Sequence, residues 1–485
     1  MSARRVPLFA VGTGLLLLLL ASAAVALALW QPEGLRWRNP GVQRWIQAGS
    51  AVLGYLLLIM AGRWHRRDRV ARAQGDDDCD DAVLVIHSSQ SGHAVQLAQR
   101  TAAALQAAGR AASVVAIDAL DAARLIRTRR ALWIASTTGD GDPPDGALRF
   151  IRSVMAQPLS MATLEYGVLA LGDRRYPQFC AWGRQLDQWL RERGAQALFE
   201  RIDVDNADAA ALERWHQQLS RLADGDPLDG WQAPPLREWQ LVDRRLLNAG
   251  SSGAPCFHVA LVPVGGGGAD WQAGDVFALQ LPGDSRVQRD YSIASLPADG
   301  AVHLLVRQTR RDDGSLGLGS GWLTQHGAIG DRLPAQIRAN PRFHLPDDAR
   351  PLILIGNGTG LAGLRALLKA RIARGHDDNW LLFGERHAAY DVHYRAELMQ
   401  WQAQGALRQL DLVFSRDGAS AEYVQHRLLR DAALLRDRVQ RGAAIYVCGS
   451  AHGMATGVDE VLRRVLGHDG IEQLIESGRY RRDVY

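Results

Sequence analysis

Lysine and cysteine are nearly missing from this chain. Of 485 residues a single one, Lys369, is lysine, against 55 arginines, a bias that resembles codon usage and carries little functional meaning. The four cysteines, Cys79, Cys180, Cys256 and Cys448, lie far apart with no Cys-x-x-Cys pair. That spacing excludes a disulfide framework and a zinc or iron–sulfur site, so no metal ligands are assigned, and a reducing compartment fits. The formal charge of +4 hides an asymmetry: the first 75 residues hold ten arginines against Glu33 and Asp68, a net +8, which leaves −4 for the other 410. No basic stripe interleaved with aromatics occurs in that larger part, so a nucleic-acid partner is not expected.

What the chain does have is apolar length at one end. Residues 8–30 carry no charge, enough at ~1.5 Å per residue to cross a ~30 Å hydrocarbon core as a helix. A second apolar stretch, residues 45–62, has Gln47 and Ser50 near one end and is followed by Trp64, an interfacial aromatic. A transmembrane helical hairpin over residues 1–75 is expected, with membrane lipid as a partner. Arg4 and Arg5 precede it and Arg63, Arg66, Arg67, Arg69 and Arg72 follow it, which places both ends in the cytoplasm, at a bacterial inner membrane; Arg36, Arg38 and Arg44 in the outer loop oppose that bias. The competing reading is a secretory signal ending at Ala26-Leu27-Ala28, against which stand the long apolar core and the second span. Neither span holds a histidine, so intramembrane haem ligation is not indicated.

At about 150 residues per domain the chain has room for roughly three folded units. After the acidic run Asp76 to Asp81, residues 82–87 read as a buried strand, Ser88-Ser89-Gln90-Ser91-Gly92-His93 as a turn and 94–109 as a helix. Small hydroxyl residues and a glycine before a helix let several N–H groups converge on one phosphate without a lysine. Strand 132–135 then runs into Ser136-Thr137-Thr138-Gly139-Asp140-Gly141-Asp142-Pro143-Pro144, and strand 168–171 into Gly172-Asp173-Arg174-Arg175-Tyr176-Pro177-Gln178-Phe179-Cys180. Loops at the C-terminal ends of parallel strands are where open sheets bind ligands.

A linker is expected at 222–236, where Asp-Pro and Pro-Pro punctuate the chain. Beyond it stands Arg289-Asp290-Tyr291-Ser292-Ile293-Ala294-Ser295. An arginine offers fixed charge to a pyrophosphate, an aromatic two residues on can lie on a flat ring, and the neighbouring hydroxyl can bond that ring's edge. The same residues also read as a half-buried strand. Then come Gly317-Leu318-Gly319-Ser320-Gly321-Trp322, with Trp322 a core residue, and strand 352–355 into Gly356-Asn357-Gly358-Thr359-Gly360. Ser415-Arg416, Tyr423 and Gln425 offer an arginine fork for a phosphate. Cys448 ends another strand, and the chain closes on Asp483-Val484-Tyr485.

Taken in order, residues 82–485 resemble the diflavin reductases, the family of cytochrome reductase and the sulfite reductase flavoprotein. The resemblance implies FMN held by Ser88, Ser89, Gln90, Ser91, Gly92, Ser136, Thr137, Thr138, Gly139, Asp140, Gly141, Gly172, Asp173, Tyr176 and Phe179. It implies FAD held by Arg289, Tyr291, Ser292, Gly317, Gly319 and Ser320. NADPH falls to Gly356, Gly358, Thr359, Gly360, Ser415, Arg416, Tyr423 and Gln425. Ser292, Cys448 and Asp483 match the hydride-transfer trio, and Tyr485 the aromatic lid over the flavin. Four features depart from the family: Thr138 stands where many relatives stack an aromatic, Asn357 where proline is usual and Ala421 at a lysine position, and the large helical insertion before Arg289 is missing. Asp140, Asp142, Asp145 and Asp173 would crowd the FMN edge with negative charge and face a basic acceptor, or only cap turns.

The expected fold is α/β: hairpin 1–75, a flavodoxin-like doubly wound parallel sheet 76–225, an antiparallel FAD-binding β-barrel 226–345, and a Rossmann-like NADP-binding domain 346–485. The expected function is electron transfer from NADPH through FAD and FMN to a haem protein at the membrane, as in NADPH–haemoprotein reductases. Alternatives are a sulfite reductase flavoprotein component, a ferric-chelate or quinone reductase, and a non-catalytic membrane flavin sensor. A transporter is excluded, since two short spans lack a polar path.

Overall fold

The computed structural model describes residues 82–485 apart from 139–140, 175, 207, 224–235, 267–268 and 282–283. The expected hairpin, Gly139, Asp140 and most of the linker lie outside the described residues. Among those described, no helix is long and apolar enough to cross a membrane.

Three sheets carry the architecture. The first contains β1 (Val83–Ser88), β2 (Ala112–Ala116), β3 (Arg130–Ser136), β4 (Glu165–Gly172), β5 (Gln196–Ala197) and β6 (Ile202–Asp205), all parallel. Its order is β2-β1-β3-β4, with both β5 and β6 pairing β4. Alternating side chains explain why it is covered on both faces: Leu84 and Ile86 enter one apolar cluster, Val83 and Val85 the other. Helix His93–Ala107 supplies Ala94, Leu97, Ala98 and Leu105 to the second cluster.

The second sheet is antiparallel: β7 (Arg237–Leu246), β8 (Cys256–Pro263), β9 (Val276–Leu281), β10 (Asp284–Ser292), β11 (Val302–Arg307) and β12 (Arg332–Arg338), in the order β10-β9-β12-β7-β8-β11. It stands where a β-barrel was expected and buries one cluster, around Trp239, Phe277 and Leu323. Trp322 packs against that cluster, as a core residue should.

The third sheet is parallel: β13 (Leu352–Asn357), β14 (Asn379–Glu385), β15 (Gln409–Phe414), β16 (Ala444–Gly449) and β17 (Tyr480–Val484), in the order β15-β14-β13-β16-β17. Strand order reverses between β13 and β16 here and between β1 and β3 in the first sheet, and crevices form at such reversals. Gly356 is in register with Cys448, and Ser88 with Ala135. The motifs singled out from sequence therefore sit at the two switch points.

The apolar clusters divide the molecule. Phe343, Ala294 and Leu305 share one cluster with Leu361, Leu364 and Cys448, so the second and third sheets are joined through a common core. The two clusters of the first sheet are built from residues 83–223 alone.

Close approach at the second switch point requires glycine at 360, where an added Cβ would fall 2.1 Å from the Cys448 carbonyl oxygen. Backbone cannot yield there as a flexible side chain would. Gly360→Ala is expected to destabilise the protein by roughly 1–3 kcal/mol, read as a lowered unfolding midpoint in urea.

Candidate active site

Three chain segments far apart in sequence meet at the β13/β16 crevice. The Ser292 hydroxyl, at the end of β10, donates to Asp483 Oδ2 at 2.7 Å. The Cys448 thiol donates to the same oxygen at 3.8 Å, and Cys448 and Asp483 are in register on neighbouring strands. A Cβ on Gly363 would lie 3.3 Å from Cys448 Sγ and 3.7 Å from Ser292 Cβ, so the helix Leu361–Ala373 closes one side. Burial pushes the Asp483 carboxyl above its usual range, against the lowering effect of the two hydrogen bonds. Burial likewise raises the Cys448 thiol, which stays protonated and acts as a donor.

The other expected residues fall into three groups. Arg289 and Tyr291 lie beside Gly319, whose added Cβ would sit 2.7 Å from the Tyr291 hydroxyl and 2.9 Å from Arg289 Cγ. Gly317 precedes the turn Leu318–Gly321, and Ser320 Oγ lies 2.7 Å from Thr309 Oγ1. Tyr485 is half exposed, its hydroxyl donates to Thr359 Oγ1 at 3.2 Å, and its main chain is held by Gly449 and Ala451. Expected lid and expected nucleotide turn are therefore in contact.

Ser415 and Arg416 follow β15, and the Glu422 N–H donates back to Phe414 O at 2.9 Å, which brings Tyr423 and Gln425 to the same sheet end. Arg416 is exposed and has no side-chain partner among the described residues. Gln425 Oε1 is buried without a partner. A buried acceptor without a donor is costly unless a ligand supplies one.

At the first switch point Ser88 Oγ accepts from Trp182 Nε1 at 2.9 Å, and Ser89 Oγ accepts from the Gly92 N–H at 3.0 Å. Thr137 Oγ1 is buried with no partner, while Thr138, next to Ser136 and Thr137, closes a tight turn on Asp142 with Gly141. Gly172 and Asp173 begin the third loop; Tyr176 is half-buried, and Phe179 lies under the Arg174 guanidinium. Burial and Arg338 hold His93 at about 4, so the turn carries no side-chain cation of its own and any anion there rests on N–H groups.

One expectation about this loop is corrected. Asp145 does not join an exposed acidic face: it is 6% exposed and forms a bidentate ion pair with Arg482. Sequence reasoning also gives no role to Gln90 as an interdomain contact, to Arg338, to Arg482 or to the Asn357 side chain. No spacing signals these contacts, because each joins residues distant in the chain.

The residues fit the implied groups. Thr137 Oγ1 and Gln425 Oε1 await partners in the loops expected to hold FMN and NADPH. The glycines at 317 and 319 bring the turn's backbone close against Thr309, Arg289 and Tyr291, beside the residues expected to hold FAD.

Comparison with known proteins agrees. Residues 85–216 match the flavodoxin family model and residues 354–460 the oxidoreductase NAD-binding domain. The chain is similar to the sulfite reductase [NADPH] flavoprotein alpha-component of Vibrio parahaemolyticus, 28% identical over 83% of this chain and 86% of that one. It is similar to the protein of that name from Vibrio cholerae, at 28% over 83% and 87%. The Bacillus subtilis protein is 25% identical over 83% and 89%.

Two predictions follow from the site's charges. Asp483→Asn is expected to slow NADPH-driven flavin reduction about 10- to 100-fold; Ser292→Ala added to it should cost little more, since both act on one oxygen, as stopped-flow absorbance will read. Stability should peak near pH 6.5. Burial and neighbouring arginines hold His87 and His93 at about 4. The unfolded chain then binds more protons below pH 6.5, and stability falls toward pH 4. His393 is opposed by burial but raised to about 9 through Cys256 and Glu385, so its contribution is lost as pH rises through 9. His393→Gln should flatten only the alkaline limb of the urea midpoint profile.

One polypeptide thus joins a flavodoxin domain, the unit for FMN, to an oxidoreductase NAD-binding domain that serves FAD and NADPH, and over most of its length it is similar to sulfite reductase flavoproteins.

Proposed function

We propose that the protein takes hydride from NADPH and delivers single electrons to a haem protein. The observation that carries this reading is the convergence of Ser292, Cys448 and Asp483, drawn from positions up to 191 residues apart, on one carboxylate oxygen. When bound, FAD accepts hydride as an electron pair and FMN releases electrons singly. The chain's own residues position and shield. Asp483 faces the crevice as an acceptor that steadies positive charge developing on a nicotinamide ring, while Ser292 and Cys448 orient it. Arg289 offers its guanidinium to a pyrophosphate, Tyr291 its ring to a flat cofactor, and Tyr485 covers the crevice until nicotinamide displaces it.

Arg416 is the residue for the adenosine phosphate, as an exposed guanidinium beside Ser415, Tyr423 and the partnerless Gln425. Ala421 at the lysine position leaves Arg416 to carry that charge. Arg416→Ala is expected to lower kcat/KM for NADPH by about 10- to 100-fold, the loss of one charge-assisted contact, and to leave NADH unchanged. Equal losses with both nucleotides would remove this assignment.

For the acceptor, similarity to sulfite reductase flavoproteins favours the haemoprotein of a sulfite reductase over a cytochrome-type partner. The apolar N-terminal residues support, from sequence alone, a membrane hairpin with the catalytic modules on the cytoplasmic side of a bacterial inner membrane. The domain division at residues 75, 225 and 345 belongs to the same proposal. Full-length protein in detergent should oxidise NADPH with a dye as acceptor, which a flavin sensor would not. It should reduce sulfite reductase haemoprotein faster than a soluble cytochrome or a ferric chelate. A preparation that remains colourless after incubation with FMN and FAD would end this reading.

A further inference from the structure

The contact between the flavodoxin domain and the rest of the protein is polar. Among the described residues no apolar cluster crosses it, and it is made by pairs such as Arg342–Asp118, Arg152–Glu472 and Gln96–Gln336. Arg338 Nε donates to Ser91 O at 3.1 Å, and a Cβ on Gly92 would come within 2.2 Å of Ala339 O. At the centre of this seam one residue is gripped twice. Asp145 accepts from both Nε and Nη2 of Arg482, and Gln90 Nε2 donates to the Arg482 carbonyl oxygen at 3.0 Å. Gln90 and Asp145 are themselves locked together, Asp145 N–H to Gln90 Oε1 and Gln90 Nε2 to Asp145 Oδ2, each at 3.1 Å.

The grip on the backbone matters more than the ion pair. Arg482 lies in β17, which among the described residues is an edge strand with β16 as its one strand neighbour, and a held carbonyl fixes the strand rather than one side chain. Successive side chains of a strand point to opposite faces. Arg482 turns to the flavodoxin domain, and Asp483 turns to Ser292 and Cys448.

We infer that Arg482 is a positioning residue through which docking of the flavodoxin domain sets the strand that carries Asp483 and Tyr485. The Asp483 geometry is complete only while the two halves are joined. The role given to Asp483 rests on the function proposed above; the mechanical coupling does not. Gln90, from the turn expected to hold the FMN phosphate, is on this view a clasp, so cofactor turn and strand position are linked through one side chain.

The test is hydrogen–deuterium exchange on the full-length protein at low salt, alongside stopped-flow flavin reduction by NADPH. Asp145→Asn is expected to speed amide exchange at residues 481–485 about tenfold or more and to slow flavin reduction by a similar factor. The charge-swapped pair Asp145→Arg with Arg482→Asp should restore both in large part. Should the swap fail to fold, Gln90→Ala removes the carbonyl grip and the Gln90–Asp145 lock while leaving both members of the ion pair in place, and should also speed exchange there. Arg152→Ala, which breaks a seam pair that includes no residue of β17, should leave residues 481–485 unchanged. Exchange at those residues within about twofold of the parent in both Asp145→Asn and Gln90→Ala overturns the inference, as does an equal effect of Arg152→Ala. A protein that shows the exchange coupling but oxidises no NADPH overturns the functional reading and supports the clasp.

Discussion

The constraint on which this structure depends is the unequal way its parts are joined. The antiparallel sheet and the third sheet share one apolar cluster, with Phe343 against Tyr446 and Ala294 near Leu361 and Leu364. Interiors of that kind are close-packed and move as one body. The flavodoxin domain keeps its own cores and meets this body through charged and polar side chains. Such pairs give orientation more than cohesion, and salt weakens them where water reaches them. A rigid hydride-accepting half and a separately cored carrier are what two-electron and one-electron steps in one chain require.

Within the rigid half, chemistry follows from register. Strand order reverses at β13/β16, which opens a crevice there, and Cys448 pairs with Gly356 on one side and Asp483 on the other. Two strand neighbours and the end of β10 thus deliver three polar groups to one point. Glycine at 360 lets the nucleotide turn come close enough for its N–H groups to face the crevice, where a methyl would meet the Cys448 carbonyl. Low dielectric does the rest: burial keeps the Cys448 thiol protonated and makes the Asp483 carboxylate basic.

Much of this was legible in the sequence because it is local. Strand-then-turn patterns at 88, 136, 172 and 356 fell at C-terminal strand ends, with boundaries within a few residues of β1, β3, β4 and β13. The trio Ser292, Cys448 and Asp483 came from resemblance rather than periodicity, since no spacing connects residues 191 apart. What escaped is what requires docking. Asp145 reads as one more loop aspartate among Asp140, Asp142 and Asp173, and only the fold brings Arg482 across 337 residues to neutralise it. His393 and Glu385 belong to no motif that the sequence signals, yet they share a buried site with Arg307 beside Gly358 of the nucleotide turn.

Asn357 illustrates how a departure from the family pattern is absorbed. It ends β13 in an extended conformation, φ −142° and ψ 158°. Proline, with φ fixed near −65°, would stiffen the turn from within. The asparagine does so from outside: its Oδ1 accepts the Ser450 N–H at 3.0 Å and ties the nucleotide turn to the loop after Cys448. That tie imposes its own condition, because a Cβ at residue 449 would fall 2.4 Å from the same oxygen, and Gly449 adopts φ +134°. Asn357 and Gly449 therefore form a pair, each acceptable because of the other. A proline at 357 would leave the Ser450 N–H without this acceptor and would cut the tie between the nucleotide turn and the loop beside Cys448.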